Sequence, residues 1–258
     1  MDKRKSHNEG GTMIKEFAFG ISNRHHFQDA NSIGNWQGIN SDTFCSLYDY
    51  DDYVKEFYGK NSSLSGYDGL IYLPDEFILD VDGKDLVSAR EKLEKLLILL
   101  KKIKVPNKVY FSGTGYHVGI PSSAFRWKPT KDLHLKVKDA LNNAGIFEHA
   151  DSSVKTRIIR IVNTKNTKSN LYKIELDNET LETIFGCSDE DYMTGIQDLA
   201  KKPQKITTFD LECEPVFDVL ERTKKTEEIQ VIENTNQGRA PDPINYPCIQ
   251  NMMNGTGY

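Results

Sequence analysis

The sequence predicts an α+β protein with a largely antiparallel or mixed sheet. Short apolar runs typical of buried strands alternate with amphipathic helical stretches along most of the 258 residues. Two pairs of such runs, 70–73 with 77–81 and 108–112 with 116–120, have only short connections. Because connections of that length suit hairpins and are too short for helical crossovers, we expect neighbouring strands to pair.

Two stretches have the periodicity of helices that pack on such a sheet. Residues 85–103 place apolar side chains at helical spacing with charged residues between them, and Pro106 follows. Residues 130–143 form the second, with Thr130 as the expected N-cap and Gly145 as the stop. Further strands are expected at 157–162 and 171–176, and further helices near 179–185 and 189–201.

The two ends of the chain differ from this middle part. Residues 1–12 are polar, and we expect a mobile N-terminus there. Residues 17–51, rich in aromatic side chains and asparagine, predict irregular structure that ends in a helix around 53–58. The main folded unit is expected at 13–205, and a charged linker containing proline at 206–245.

Composition excludes several classes of protein. Hydrophobic residues make up 38% and charged residues 28%, which is a globular composition. The longest apolar run, residues 96–100, is far below the roughly 18 residues that span a bilayer, and the N-terminus lacks an apolar signal segment, so we expect a cytoplasmic protein. The net charge of −5 argues against coating nucleic acid by counterion release alone, but it allows an enzyme with a local basic groove.

The four cysteines predict no metal site. Cys45, Cys187, Cys213 and Cys248 lie far apart, with no CxxC pair and no histidines at zinc-ligand spacing. We therefore expect reduced thiols and no structural zinc.

The strand at 77–81 runs into two carboxylates, Asp80 and Asp82, that are separated by one residue. Because side chains alternate along a strand, we expect both to point the same way. Two carboxylates at a strand end suit Mg²⁺ or Mn²⁺. The alternative is a turn with two solvated aspartates.

A glycine-rich bend joins the strands at 108–112 and 116–120. It contains Ser112, Gly113, Thr114 and Gly115, and His117 follows. Free backbone N–H groups with a hydroxyl and an imidazole could bind phosphate oxygens. The bend matches neither the P-loop nor the Rossmann consensus, and an ordinary glycine-rich hairpin is the alternative.

An acidic residue followed by a basic run forms the third motif. Asp151 precedes Arg157, Arg160, Lys165 and Lys168. Carboxylate for metal ions and cations for phosphates are what a metal-bound triphosphate needs. Since the two arginines are three residues apart on a strand, only one is expected to reach Asp151. A solvated basic strand end is the alternative.

The order of these three motifs resembles a known family. The archaeo-eukaryotic primase superfamily has Asp-hydrophobic-Asp, then Ser-x-His, then a lone Asp, in this chain order. The longer match over residues 157–173 resembles the phage- and plasmid-type primase-polymerase branch. The resemblance covers residues 44–176 approximately. It implies a core of two facing α/β layers, one of them RRM-like, with the active site in the cleft between them.

The resemblance also implies an activity. The chain would be a DNA primase or DNA-directed polymerase that transfers nucleotides from NTP or dNTP to a 3′-hydroxyl on a DNA template by two-metal catalysis. The catalytic carboxylates, which would hold two Mg²⁺ or Mn²⁺ ions, are Asp80, Asp82 and Asp151. The nucleotide-binding residues would be Ser112, Gly113, Thr114, His117, Arg157, Arg160 and either or both of Lys165 and Lys168.

Two features depart from the family pattern. His117 lies five residues after Ser112, so the compact Ser-x-His is widened, which leaves open whether Ser112, Thr114 or both meet phosphate. The zinc module of cellular primases has no counterpart among the four cysteines.

Expected partners are single-stranded DNA template, primer and nucleotides, with a replicative helicase or a C-terminal helical module whose start is expected at 246–258. If the chain is phage-encoded, the compartment is the host cytoplasm. Tyr48, Tyr50 and Trp127 are candidates for stacking on template bases, with ordinary packing as the alternative. A catalytically silent nucleic-acid-binding module and a metal-dependent nuclease are the alternative functions.

Overall fold

The computed structural model describes residues 12–151, 155–205 and 207–217 and has an α+β fold, as the sequence predicts. By its contacts the chain divides into two units, residues 1–218 and 219–258, and all described residues belong to the first. The predicted mobile N-terminus, except Thr12, lies outside the described residues. So do most of the predicted linker, of which residues 207–217 are described, and the predicted helical module at 246–258.

The elements follow one another in chain order. The helices are α1 (Tyr53–Asn61), α2 (Leu86–Lys102), α3 (Leu133–Asn143), α4 (Asn178–Gly186) and α5 (Asp189–Leu199), with short 3-10 helices at Ala30–Trp36, Ser122–Ala124 and Ile146–Glu148. The strands are β1 (Ile14–Phe19), β2 (Asn23–Asp29), β3 (Thr43–Ser46), β4 (Asp49–Tyr50), β5 (Ile71–Tyr72), β6 (Glu76–Val81), β7 (Lys108–Phe111), β8 (Tyr116–Pro121), β9 (Ile158–Arg160), β10 (Lys165–Asn166), β11 (Leu171–Tyr172) and β12 (Ile174–Leu176).

The first sheet corrects the prediction for residues 17–51. It has the strand order β5-β4-β1-β3-β9, with β2 also paired to β1, and all of these pairings are antiparallel. The expectation of irregular structure is therefore wrong for much of this region. Sequence periodicity does not reveal these strands, because β2 is polar except for Phe27 and β4 has only two residues.

The second sheet has four antiparallel strands in the order β12-β7-β8-β6. The hairpin predicted across the glycine-rich bend is confirmed as β7 and β8. The pair predicted at 70–73 and 77–81 forms two strands but no hairpin, because β5 joins β4 in the first sheet while β6 joins β8 in the second. The stretch 171–176 likewise divides into β11, which pairs with β10, and β12.

Helix α2 covers one face of the second sheet. It contacts β6 and β8, and Leu93, Leu96 and Leu100 are fully buried on its inner side. The helix begins with a capping box between Asp85 and Ser88, which satisfies backbone N–H groups of its first turn. This confirms the helix predicted at 85–103.

The start of α3 differs from the prediction. Its N-cap is Asp132 rather than Thr130, because Thr130 lies in extended backbone and its carbonyl accepts a hydrogen bond of 3.3 Å from the N–H of Ile71. The predicted stop is confirmed, since Gly145 has a positive φ of 75° just beyond the helix.

The described part of the predicted linker lies on the core. Lys108 Nζ donates a hydrogen bond of 2.9 Å to the carbonyl of Thr208. Phe217 is fully buried, and its ring stacks on Phe125 with centroids 4.6 Å apart. Among the described residues, no helix is long and apolar enough to cross a membrane.

Candidate active site

Asp80 and Asp151 lie side by side although 71 positions separate them in the chain (151 − 80). The backbone N–H of Asp80 donates to the carbonyl of Asp151 at 3.1 Å, and the N–H of Asp151 donates to the carbonyl of Asp80 at 2.9 Å. On its other side, Asp80 in β6 is directly opposite His117 in β8. The pairing of β6 thus brings two of the predicted carboxylates and the predicted histidine together.

Arg157 connects the two carboxylates. Its Nη1 donates to Asp151 Oδ2 at 2.8 Å, and its Nη2 forms an ion pair with Asp80. Asp151 remains largely exposed, whereas the Asp80 side chain retains 12% of its accessible surface. Arg157 is therefore the arginine that reaches the carboxylates, at the rim where the site meets solvent.

Arg160 is engaged elsewhere. Its guanidinium forms an ion pair with Asp42, lies 4.7 Å from the ring centroid of Phe44 and donates to the carbonyl of Lys165 at 3.0 Å. Asp42 also accepts a hydrogen bond from the N–H of Thr167 at 3.2 Å. Arg160 and Asp42 thus fasten the β10–β11 hairpin to the loop before β3. The sequence gives no indication of Asp42.

Asp82 completes the acidic group. It is exposed just beyond β6, close to the bend after β7, since a Cβ placed on Gly115 would lie 2.8 Å from Asp82 Oδ1. Burial, and then the negative charge of Asp82, raise the pKa of Asp80 to about 6, although Arg157 opposes the shift. The ionised form of Asp80 is therefore disfavoured, chiefly because the side chain is buried and secondly because Asp82 lies close.

Within the glycine-rich bend, Ser112 and Gly115 form hydrogen bonds to each other. The N–H of Ser112 donates to the Gly115 carbonyl at 2.9 Å, and the Ser112 hydroxyl accepts from the N–H of Gly115 at 3.2 Å. Gly113 has a φ of 97°, and a Cβ there would lie 2.8 Å from Ser169 Oγ. The bend thus packs on the β10–β11 hairpin, and Thr114 is its exposed residue.

His117 is almost completely buried, with 6% of its surface exposed. Its Nε2 lies 3.4 Å from Asp80 Oδ1, and its Nδ1 has no hydrogen-bond partner in the described part of the chain. Burial, followed by the charges of Lys173, Arg160 and Arg157, lowers the pKa of His117 well below its ordinary value. The imidazole is therefore neutral at pH 7 and can donate one N–H.

The two predicted lysines have different surroundings. Lys165 in β10 lies with its ammonium 5.7 Å from the ring centroid of Tyr172. Lys168 is exposed in the β10–β11 turn, and its N–H donates to Asn166 Oδ1 at 3.0 Å. A Cβ on Gly113 would lie 3.0 Å from Asn166 Cβ, so the turn that carries Lys168 adjoins the glycine-rich bend.

Sequence analysis missed a buried polar group behind His117. Tyr110 in β7 is opposite His117, and its hydroxyl donates to Glu76 Oε1 at 2.6 Å. Lys173 Nζ lies 4.8 Å from the Tyr110 ring centroid and donates to the Arg160 carbonyl at 2.9 Å, which connects the two sheets. Burial lowers the pKa of Lys173 to about 8. The sequence contains one indication of this group: because side chains alternate along a strand, Glu76 is expected on the same face as Asp80.

Two of the three base-stacking candidates are wrong. Tyr48 and Tyr50 are fully buried, and the Tyr50 hydroxyl donates to the Lys155 carbonyl at 3.2 Å. Both are therefore packing residues of the core. Trp127 is half-buried, with the ammonium of Lys136 at 4.3 Å from its ring centroid.

The donor chemistry of the aspartates fits a hard divalent cation, because carboxylate oxygens are the preferred ligands of Mg²⁺ and Mn²⁺. Within the described residues, no three His, Cys, Asp or Glu side chains already converge as a metal site. Arg157 holds Asp80 and Asp151 together, and Asp82 adds a third carboxylate close to this one guanidinium.

Comparison of the chain with protein-family models, curated proteins and solved structures found no match. What this site does is therefore inferred from its own residues and their geometry.

Proposed function

We propose that this chain is a template-directed nucleotidyltransferase, a primase-polymerase core of the archaeo-eukaryotic type. The observation on which the proposal rests is the meeting of three separate sequence motifs at one place. Asp80 is paired through its backbone with Asp151, its pKa responds to Asp82, and it faces His117. A lone acidic turn would not require residues so distant in sequence to converge.

Asp80, Asp82 and Asp151 are the residues that would hold two Mg²⁺ or Mn²⁺ ions. When bound, such ions supply charge neutralisation at the phosphates and activation of the 3′-hydroxyl. Because Arg157 bridges Asp80 and Asp151, it would have to release at least one carboxylate for these residues to hold the ions. Its guanidinium is then available to a phosphate, which it can contact with two N–H groups.

Neutral His117 donates one N–H to the triphosphate, and its burial keeps water from competing for that hydrogen bond. Lys168, exposed beside the glycine-rich bend, supplies positive charge to the same phosphates. Arg160, held by Asp42, positions the hairpin that carries Lys168. We therefore assign triphosphate contact to Lys168 rather than to Lys165, which lies over Tyr172.

Primer extension tests the proposal. The full chain is incubated with a 5′-labelled primer on a DNA template, Mn²⁺ or Mg²⁺, and dNTPs or NTPs in turn. The expected result is a longer product that requires both metal and nucleotide and is absent with Asp80→Asn from a matched preparation.

The other outcomes identify the rival functions. Shortening of the labelled strand without nucleotides indicates a nuclease. Retention of DNA on a native gel without any change of strand length indicates a silent binding module. Either result, with a folded protein by circular dichroism, overturns the proposed polymerase activity. Repeating the reaction without primer separates initiation from extension.

A further inference from the structure

The helices α4 and α5 form a hairpin that is firmly attached to α2. Only Cys187 and Ser188 connect the two helices. The Tyr192 hydroxyl donates to the Leu86 carbonyl at 3.2 Å, and the Arg90 guanidinium lies 4.6 Å from the Tyr192 ring centroid. The outer surface of this hairpin is therefore carried on a rigid support.

This hairpin has an unusual charge. Residues 177–199 contain seven carboxylates and no lysine, arginine or histidine, although the whole chain has 33 basic and 38 acidic residues. Asp189 is paired with Arg90, and Asp198 with Lys201. Within the described part of the chain, no ion pair involves Asp177, Glu179 or Asp191. The outer surface therefore presents uncompensated negative charge.

A groove of about 530 Å³ runs between the two helices. Its apolar lining includes Ile184, Tyr192 and Leu199, and the Leu199 side chain is 43% exposed. Four acidic residues also line the groove. They are Asp177, Glu179, Asp191 and Asp198.

Gly195 lines the groove from inside α5, and a Cβ placed there would meet no atom within 4 Å. Glycine at this position leaves free the space in the groove that a larger side chain would occupy, although glycine destabilises a helix relative to alanine.

We propose that this groove binds a basic amphipathic helix of a partner protein. Apolar side chains on one face of that helix enter the groove, while lysines or arginines beside them meet the carboxylates that line it. Charge complementarity selects this occupant, because an acidic or purely apolar segment would offer no cation to Asp177, Glu179 and Asp191. The groove shares no residue with the proposed active site, so this inference does not depend on the proposed function.

The experiment uses the full chain and a fluorescein-labelled synthetic peptide of leucine and lysine in amphipathic helical order, with a scrambled peptide of equal composition. Fluorescence anisotropy should show tighter binding of the ordered peptide. Gly195→Leu fills the groove and should weaken that binding roughly tenfold or more, whereas the matched control Gly195→Ala should retain it. Both variants should keep or raise the melting temperature, since each removes a helix glycine.

A second pair of variants tests the charges. Neutralising Asp191 and Asp198 to asparagine should weaken binding and flatten its salt dependence. Neutralising Glu91 and Glu94 of α2 to glutamine changes the net charge equally and should leave binding unchanged.

Three results would overturn the proposal. Equal binding of the scrambled peptide, or unchanged binding by Gly195→Leu, would show attraction to an acidic surface in general. Self-association in sedimentation that Gly195→Leu abolishes would identify the occupant as a second copy of this chain.

Discussion

The buried carboxylates Asp49 and Asp80 belong to different sheets and have opposite surroundings. Asp49 in β4 has one dedicated partner, Lys15 in β1, and both side chains are almost completely enclosed. Burial lowers the pKa of Lys15, but the attraction of Asp49, with smaller contributions from other groups, raises that pKa above its ordinary value. Burial also raises the pKa of Asp49, although Lys15 opposes that shift. Lys15 therefore stays charged, and it is the cation that offsets the cost of burying Asp49.

Asp80 is buried to a similar degree but is not balanced in this way. It faces a neutral His117, it is repelled by Asp82, and its cationic partner Arg157 is shared with the exposed Asp151. An enclosed ion pair of one cation and one anion, such as Lys15 and Asp49, suits a structural role. A cluster of three carboxylates that shares one arginine and opens to solvent suits a ligand-binding role.

The largest expected effect separates activity from stability at Asp80. Asp80→Asn should abolish nucleotide incorporation while raising the free energy of unfolding at pH 7 in EDTA. The folded-state pKa of about 6 exceeds the ordinary 3.8, so the folded state holds its proton longer, and stability is lost as pH rises from about 4 to about 6. These two pKa values differ by about 2, which corresponds to about 3 kcal/mol. At pH 7 the free energy of unfolding of Asp80→Asn should therefore exceed that of the wild type by up to about 3 kcal/mol.

Urea denaturation between pH 4 and 7, beside primer extension, measures both quantities. Normal extension by the variant would remove Asp80 from the active site. A large loss of stability would instead indicate a structural carboxylate like Asp49.

The opposite behaviour is expected at the enclosed ion pair. Lys15→Met leaves Asp49 buried without its cation and should lower the free energy of unfolding by about 3–5 kcal/mol. The double variant Lys15→Met with Asp49→Leu should recover most of that loss, because no charge stays unpaired. Urea denaturation measures the coupling, and additive effects of the two substitutions would contradict the assignment of a matched pair.

His117 gives an intermediate effect on substrate binding. If its N–H bonds the triphosphate, His117→Ala should raise the KM for nucleotide, with a loss of about 1.5–3 kcal/mol, or on the order of 10- to 150-fold in kcat/KM. His134→Ala, a half-buried histidine of α3, is the matched control and should leave KM unchanged. A lower melting temperature with unchanged KM would make His117 a packing residue.

The smallest expected effect concerns Lys173, the buried cation between the sheets. Its folded-state pKa of about 8 lies below the ordinary 10.5, so the unfolded state binds the proton more tightly and stability should rise as pH increases from 8 towards 10.5. Between pH 7 and 9 the wild type should gain about 1 kcal/mol relative to Lys173→Met. Parallel pH profiles of the two proteins in urea denaturation would show that Lys173 does not titrate in this range.

Elements whose information is local could be predicted from the amino-acid sequence. The apolar periodicity of α2, the glycine-rich hairpin of β7 and β8 and the stop at Gly145 all follow from neighbouring residues, and the structure confirms them. The order of the motifs likewise identified Asp80, Asp82, His117, Asp151 and Arg157, which the fold brings together.

Tertiary structure decided the pairings between distant parts of the chain. The first sheet includes the mostly polar β2 and the two-residue strands β4 and β5, which are stabilised by pairing with other strands, so periodicity could not reveal them. The choice between Arg157 and Arg160, the ion pair of Asp42 and the position of Lys173 depend on which backbones lie side by side. A sequence pattern states which chemistry is available, but charge balance and burial arise only when separate segments meet, because both are properties of the space around a side chain.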